Sequence, residues 1–279
     1  MAITSYKPTS PSRRFASVSP WNKEVTKGKP EKSLLSIRKR NAGRNNQGKI
    51  TTRHRGGGAK RMLRDLDSLQ ERLDIPAKVD SIQYDPNRTA YIALLVYPDG
   101  EKRYIIAPTG LKPGMQILSA SKRVELDPGN RMPLQDIPAG TMVHSVELQP
   151  GRGGRIVRSA GSSATLMSVD AGMAQVKLPS GEVRMIAAHA RASIGQVSNI
   201  DHGNVRLGKA GRTRHLGFRP SVRGKAMNPV DHPHGGGEGN QPIGLKHPKT
   251  PWGKPALGVR TRKKGKFSDR FILKPRKNR

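Results

Sequence analysis

The chain of 279 residues is 33% hydrophobic and 4% aromatic, and its 52 Lys and Arg against 20 Asp and Glu give a net charge of +32. An apolar fraction well below the roughly 45–50% of ordinary globular chains allows only part of the sequence to bury a core, and zero cysteines exclude disulfides, thiolate zinc sites, iron–sulfur ligation and thiol catalysis. No run approaches the roughly 18 apolar residues of a membrane span, and the basic start over residues 1–14 has no apolar stretch behind it, so a soluble intracellular protein without a span or secretory leader is expected.

The charge sits at the two ends. Residues 1–60 carry 15 Lys and Arg against 2 acids and residues 199–279 carry 20 against 4, whereas residues 61–198 carry 17 against 14. Like charges at this density repel and are not expected to pack on each other, so the flanks read as two arms that need a polyanion along their length. Nucleic acid is the candidate. Rich in Gly, Pro, Asn and Ser, the flanks are expected to be disordered in isolation.

In chain order, residues 1–60 show no sustained period apart from the apolar patch Leu34, Leu35 and Ile37. They hold two basic clusters, Gly43-Arg44-Asn45-Asn46-Gln47-Gly48-Lys49 and Arg53-His54-Arg55-Gly56-Gly57-Gly58-Ala59-Lys60-Arg61. Arg offers bidentate hydrogen bonds to phosphate, Asn and Gln can reach base or ribose edges, and Gly lets a backbone approach closely, a combination suited to threading into folded RNA. No P-loop spacing occurs. Leu63, Leu66, Leu69 and Leu73 then recur at three- and four-residue intervals among Asp65, Asp67 and Glu71, which predicts a short helix over residues 59–74, ended before Pro76.

From residue 77 the pattern turns strand-like, with β-branched and aromatic runs at 77–84, 89–97, 101–107, 115–119, 141–148, 156–159, 164–169, 173–178 and 182–187. Pro98-Asp99-Gly100 marks a hairpin, and Lys112-Pro113-Gly114, Asp127-Pro128-Gly129, Pro150-Gly151, Asp170-Ala171-Gly172 and Pro179-Ser180-Gly181 mark further turns. Many short strands at this spacing predict two small closed or nearly closed barrels, split near residues 127–133.

Beyond residue 200 the apolar content falls again. Within the cluster from Gly208 and Lys209 onward, Arg212, Arg214, Arg219 and Arg223 are placed to clamp separate phosphates, and His215 and Phe218 offer faces for unpaired bases, although 4% aromatics argue against a broad stacking platform. Asp231, His232, His234, Glu238 and His247 invite a metal reading, or His232 a general-base reading. The spacing matches no zinc motif and no rigid element holds the ligands, so a structural role is expected, the histidines donating to RNA and the glycines turning against it. His54, His144, His189 and His202 read as packing or phosphate contacts. Residues 260–266 and 274–279 form a cationic tail.

Taken together, YKPTSPSRR (6–14), GRNNQGKITTRHRGGGAKR (43–61), YDPNRTAYIALLVYPDGEKRYIIAPTGLKPG (84–114), ARASIGQVSN (190–199), GKAGRTRHLGFRP (208–220) and RGKAMNPVDHPHGGGEG (223–239) resemble the bacterial-type large-subunit ribosomal protein two family over nearly the whole chain. The resemblance implies a mainly β fold: a basic N-terminal extension with a short helix (1–76), an OB-fold barrel (77–127), an SH3-like barrel (128–200) and an irregular Gly/Pro-rich basic C-terminal extension (201–279). It implies a non-enzymatic constituent of the large subunit that binds its ribosomal RNA, contacts other ribosomal proteins, supports assembly and subunit association, and reaches the small subunit, tRNA and the peptidyl transferase region. No cofactor, metal or membrane is implied, and a cytoplasmic ribosome is expected ahead of an organellar one. The alternative is a direct catalytic or metal-binding part for the His232 loop. The RNA-binding set on this reading is Arg44, Asn45, Lys49, Arg53, His54, Arg55, Lys60, Arg61, Lys209, Arg212, Arg214, His215, Arg219, Arg223, Asn228, His232 and His234. Two positions depart from the family pattern: His215 stands where Trp is common and Phe218 where Arg is usual.

Overall fold

Residues 3–276 are described by the computed structural model; the last cations of the tail, at 277–279, lie outside the described residues. Near the start, β1 (Thr4–Ser5) pairs antiparallel with β2 (Ser17–Val18) around a single turn of helix, α1 (Pro11–Arg14), with proline in its first turn where no amide donor is needed. β3 (Leu35–Ile37) pairs with β4 (Met62–Arg64).

The helix expected over residues 59–74 is not formed. Residues 62–64 of it are β4, and the remainder is irregular chain held by tertiary bonds. The Asp67 carboxylate accepts the amides of Leu69 (3.1 Å) and Gln70 (2.6 Å) and pairs with Arg103 at 2.7 Å, while the Asp67 amide donates to the Tyr104 carbonyl at 2.8 Å. Arg72 pairs with Asp99 at 2.5 Å and with Glu101. Gln70 and Asp74 adopt φ values of +50° and +60°, which no helix accommodates. The leucine spacing that mimics a helix instead lets Leu66 pack against the buried trio Ile92, Leu94 and Tyr104. A short helix carries a nucleation cost and would forgo these contacts, so the irregular path is favoured.

The first sheet comprises β5 (Ala77–Gln83), β6 (Ile92–Val96), β7 (Lys102–Ile106) and β8 (Gln116–Ile117), in the spatial order β7-β6-β5-β8 and antiparallel throughout. Ala77 and Val79 point inward and Lys78 and Asp80 outward, the alternation a half-solvated strand requires. β6 is covered on both faces. Ala93 and Leu95 join the cluster of Val79, Tyr91, Ile105 and Ile117, whereas Ile92 and Leu94 lie under Leu34 and Leu66 from the N-terminal flank. Each such aliphatic side chain contributes about 1.5–3 kcal/mol through burial. Gly100, at φ +83°, closes the β6–β7 hairpin with its amide donating to the Tyr97 carbonyl.

The second sheet comprises β9 (Arg131–Pro133), β10 (Met142–His144), β11 (Ala164–Asp170), β12 (Met173–Lys177), β13 (Val183–Ala187) and β14 (Arg191–Ile194). A further strand from the chain's end, β15 (Ile272–Lys274), completes the order β15-β13-β12-β11-β10-β14-β9. Met132, Leu134, Val143, Val146, Leu166, Val176, Ile186 and Ile194 form its core. Lys274, where the second part of the expected cationic tail begins, is therefore the last residue of an edge strand. The strand expected at 156–159 is reduced to a single bridge between Val146 and Ile156, because Val157 takes φ +56° and leaves the extended region.

His144 in β10 is fully buried, and its Nδ1–H donates to the Gly195 carbonyl at 3.1 Å. Burial pushes its pKa from the usual 6.5 down to about 4. The unfolded chain binds this proton below about pH 6.5 and the folded chain does not, so the contribution is complete above 6.5 and is lost as pH falls toward 4, about 3 kcal/mol in all. Urea unfolding of the full chain is expected to report this loss, and His144→Asn, which keeps a donor but does not titrate, is expected to remove it.

By packing, the chain divides into two compact units, neither of them contiguous in sequence. One comprises Met1–Lys39, Lys60–Lys209 and Ser268–Arg279; the other comprises Arg40–Ala59 and Ala210–Phe267. No helix among the described residues is long and apolar enough to cross a membrane.

Candidate nucleic-acid interface

The second unit holds 18 Lys and Arg against two acids, Asp231 and Glu238, which is half of the net charge of the chain. It draws its residues from both basic flanks, so segments expected to repel each other are packed together. The contact is made by backbone. α2 (Ala210–His215) delivers the chain to Gly217 and Phe218; there the Gly56 amide donates to Gly217 O (2.9 Å), the Ala59 amide to His215 O (2.9 Å) and the Arg219 amide to His54 O (3.0 Å). A Cβ on Gly58 would lie 2.9 Å from the Gly217 Cα and 3.0 Å from the His215 carbonyl oxygen, so the two segments meet only because residue 58 has no side chain.

The cations at this junction are placed on groups other than carboxylates. The Arg55 guanidinium lies 4.2 Å above the Phe218 ring and that of Arg53 lies 5.2 Å from the Trp252 ring, contacts in which the π quadrupole attracts the cation. Arg40 donates to the carbonyls of Gly58 and Ala59. Arg214 lies beside Gly57, with its Nη1 buried and lacking a hydrogen-bond partner among the described residues. Phe218, expected to offer its ring to a base, thus has one face under Arg55. Gly58→Val is expected to part the two segments, seen as faster hydrogen exchange at the Gly56 and Ala59 amides with exchange in the two large sheets unchanged.

The other expected site residues divide by burial and by unit. Arg44, Asn45, Lys49, Arg53, His54, Arg55, His215, Arg219, Arg223 and Asn228 are exposed in the second unit, while Arg212 and Arg214 are half-buried there. Arg44 and Ile50 bridge a small hairpin in which the Asn45 side-chain oxygen accepts the amides of Gln47 (3.0 Å) and Lys49 (2.9 Å). That oxygen is committed to the turn. Lys60, Arg61 and Lys209 belong to the first unit, where Arg61 donates to the Pro86 carbonyl at 2.8 Å and Lys60 and Lys209 are exposed.

The histidine loop is closed on itself. His232 is 7% exposed, its ring stands where a Cβ on Gly224 would collide with it, and its Nδ1 accepts the His234 amide at 3.0 Å. His234 Nε2 in turn accepts the Lys249 amide at 2.9 Å. Burial, with His232 and Lys249 close by, holds the His234 pKa below its usual value. Both imidazoles accept backbone amides at these nitrogens, which ties them into the loop's own architecture, and a neutral ring that accepts at one nitrogen carries its N–H on the other. Gly235 packs where a side chain would strike the Asn228 carbonyl, and the Gln241 amide donates to Lys225 O (3.1 Å) and to Gly236 O. Among the described residues, no three of His, Asp and Glu gather into a group that could hold a metal ion.

Arg40, Gln241 and Trp252 are contributors that the sequence reading did not single out. Trp252 carries a usable signal, an aromatic in a Pro-Trp-Gly turn between Lys249 and Lys254; Arg40 and Gln241 carry none.

Residues 31–119 match the family model described as Ribosomal Proteins L2, RNA binding N-terminal domain, and residues 127–253 match Ribosomal Proteins L2, C-terminal domain. The chain belongs to the ribosomal protein L2 family. Its fold is accordingly mainly β, an OB-fold followed by an SH3-like barrel, and L2-family membership makes it an RNA-binding structural protein of the large ribosomal subunit. The N-terminal L2 match includes Arg40–Ala59 and the C-terminal match includes most of Ala210–Phe267, so the cationic unit draws on both.

Proposed function

We propose that this L2-family chain anchors in large-subunit ribosomal RNA through its second, cationic unit, and that the anchorage supports subunit assembly and association, tRNA binding and the peptidyl transferase region on the cytoplasmic ribosome, alongside other ribosomal proteins. The observation that carries the proposal is the convergence of residues 40–59 and 210–267, which hold most of the basic motif clusters, into one unit with 18 cations and two acids. Such a unit is self-repelling alone and is neutralised by phosphates at close range. Its glycines let backbone approach a strand, and its exposed arginines give bidentate contacts. The family's histidine loop supports the same reading: a ring pressed on Gly224 and accepting from His234 serves architecture rather than proton transfer.

Burial decides which variants test this. Arg214 lies inside the packed junction, so its removal confounds folding with binding, whereas Arg219 and Arg223 are exposed. Arg219→Ala with Arg223→Ala is expected to weaken binding to large-subunit RNA, to reduce the slope of log K against log salt by about 2, and to lower incorporation into large subunits in a sucrose gradient. Unaltered slope and incorporation would remove these residues from the interface.

A further inference from the structure

Trp252 is 72% exposed. A large amphipathic ring left in water forfeits much of the benefit of burial, yet this one is rigidly mounted. Lys249 and Pro255 bridge, the Thr250 amide donates to Lys254 O (2.7 Å), the Gly253 amide to Thr250 O (2.9 Å) and the Ala256 amide to Pro248 O (2.7 Å), with Gly253 at φ +74° closing the turn. The Lys249 amide, held by His234 Nε2, ties this hairpin to the histidine loop. Thus the ring is displayed at the tip of a hydrogen-bonded turn instead of trailing from loose chain.

What surrounds the ring selects its occupant. The Arg53 guanidinium sits 5.2 Å from the ring, and Lys249 and Lys254 flank it in sequence. One cation over a side chain this exposed leaves the rest of the ring open. A flat π surface with one guanidinium over it and two lysines in the same hairpin fits a nucleobase whose neighbouring phosphates meet the cations, and an acidic or purely apolar protein surface would satisfy only one of the two features.

We infer that the Arg53–Trp252 pair is a single-base stacking platform, which takes an unpaired base of the RNA this unit binds. The inference rests on the RNA-binding reading above and adds a discrimination to it: phosphate contacts serve paired and unpaired RNA alike, whereas stacking requires a base out of its helix. Arg53 and Trp252 come from the two different sequence segments of the unit, so the platform exists only when those segments are folded together.

The test uses the full chain with Trp21→Phe, which leaves Trp252 as the sole indole. It is titrated with single-stranded RNA of about 12 nucleotides and with a blunt duplex of the same length, the single strand spanning a typical stacking site. Indole emission is expected to be quenched by the single strand. Trp252→Ala is expected to lower single-strand affinity by about 5- to 150-fold and duplex affinity by less than about twofold, with both salt slopes retained. Trp252→Phe, which keeps a π face, is expected to recover most of the loss. Unquenched emission on binding, or equal losses on both RNAs, would overturn the platform while leaving RNA binding intact. Failure of the unsubstituted chain to bind either RNA would overturn both readings.

Discussion

Affinity for large-subunit RNA is expected to fall by about 10³–10⁵-fold as salt rises from about 50 to about 200 mM, with log K declining against log salt at a slope of about −5 to −9. Neutralising about 6–10 phosphates gives that slope, since each releases close to one condensed counterion. The second unit alone has enough cations: Arg44, Lys49, Arg53, Arg55, Arg219, Arg223, Lys246, Lys254, Arg260 and Lys263 are all exposed. Salt should act oppositely on the free protein. With 18 cations against two acids, screening within a Debye length of about 10 Å at 0.1 M relieves the unit's self-repulsion. Protection of the Gly56 and Ala59 amides is then expected to rise with salt while RNA affinity drops. Fluorescence anisotropy with a labelled ribosomal RNA fragment reads the first effect and hydrogen exchange the second. A slope shallower than about −2 would mean that few of these cations reach phosphate.

β5, β6, β7 and β11 to β13 are legible, β5 through its side-chain period, with Ala77 and Val79 in and Lys78 and Asp80 out, and the β6–β7 hairpin through Gly100, where the turn needs positive φ. β9, β14 and β15 are not, for a physical reason. They are short, and β9 and β14 open with Arg131 and Arg191, which look like surface residues until their partner Glu147, distant in sequence, is in place. The helix misread over 59–74 arises the same way, since leucine spacing records that residues are buried and not which backbone brings them there. Asp67, read as one of the polar positions of that helix, reaches instead to Arg103, and Arg72 reaches to Asp99 and Glu101.

The candidate interface was half legible. Both motif clusters stand out by composition, yet their union does not, because repulsion was weighed as charge alone. Gly58 against Gly217, Arg55 on Phe218 and Arg40 on two carbonyls are short-range contacts that let cations pack without carboxylates. Likewise His232 is conspicuous in sequence, but the nitrogen that accepts the His234 amide is a property of the folded loop.

Glu147→Gln is expected to cost about 3–5 kcal/mol of stability, the largest single loss in the SH3-like barrel. Arg131 and Glu147 are both fully buried and meet at 3.0 Å. The other Glu147 oxygen accepts the Gly151 (3.2 Å) and Arg191 (3.1 Å) amides, and Arg131 Nη1 donates to Ser145 O (2.9 Å) and the Ser193 hydroxyl (3.3 Å). The pair thereby joins β9, β14 and the segment leaving β10. Burial pushes the Arg131 pKa down and Glu147 opposes it, with a smaller contribution from Asp67, so the guanidinium depends chiefly on the Glu147 carboxylate. Gln preserves volume and one acceptor oxygen but removes the charge, leaving a cation with no counter-charge in a medium where it is poorly solvated. Adding Arg131→Met should therefore restore part of the loss, because a neutral thioether chain needs no partner. Urea unfolding of the two single variants and the double variant measures the coupling. A cost below about 1 kcal/mol for Glu147→Gln would show that water reaches the guanidinium and that the pair does not govern this core.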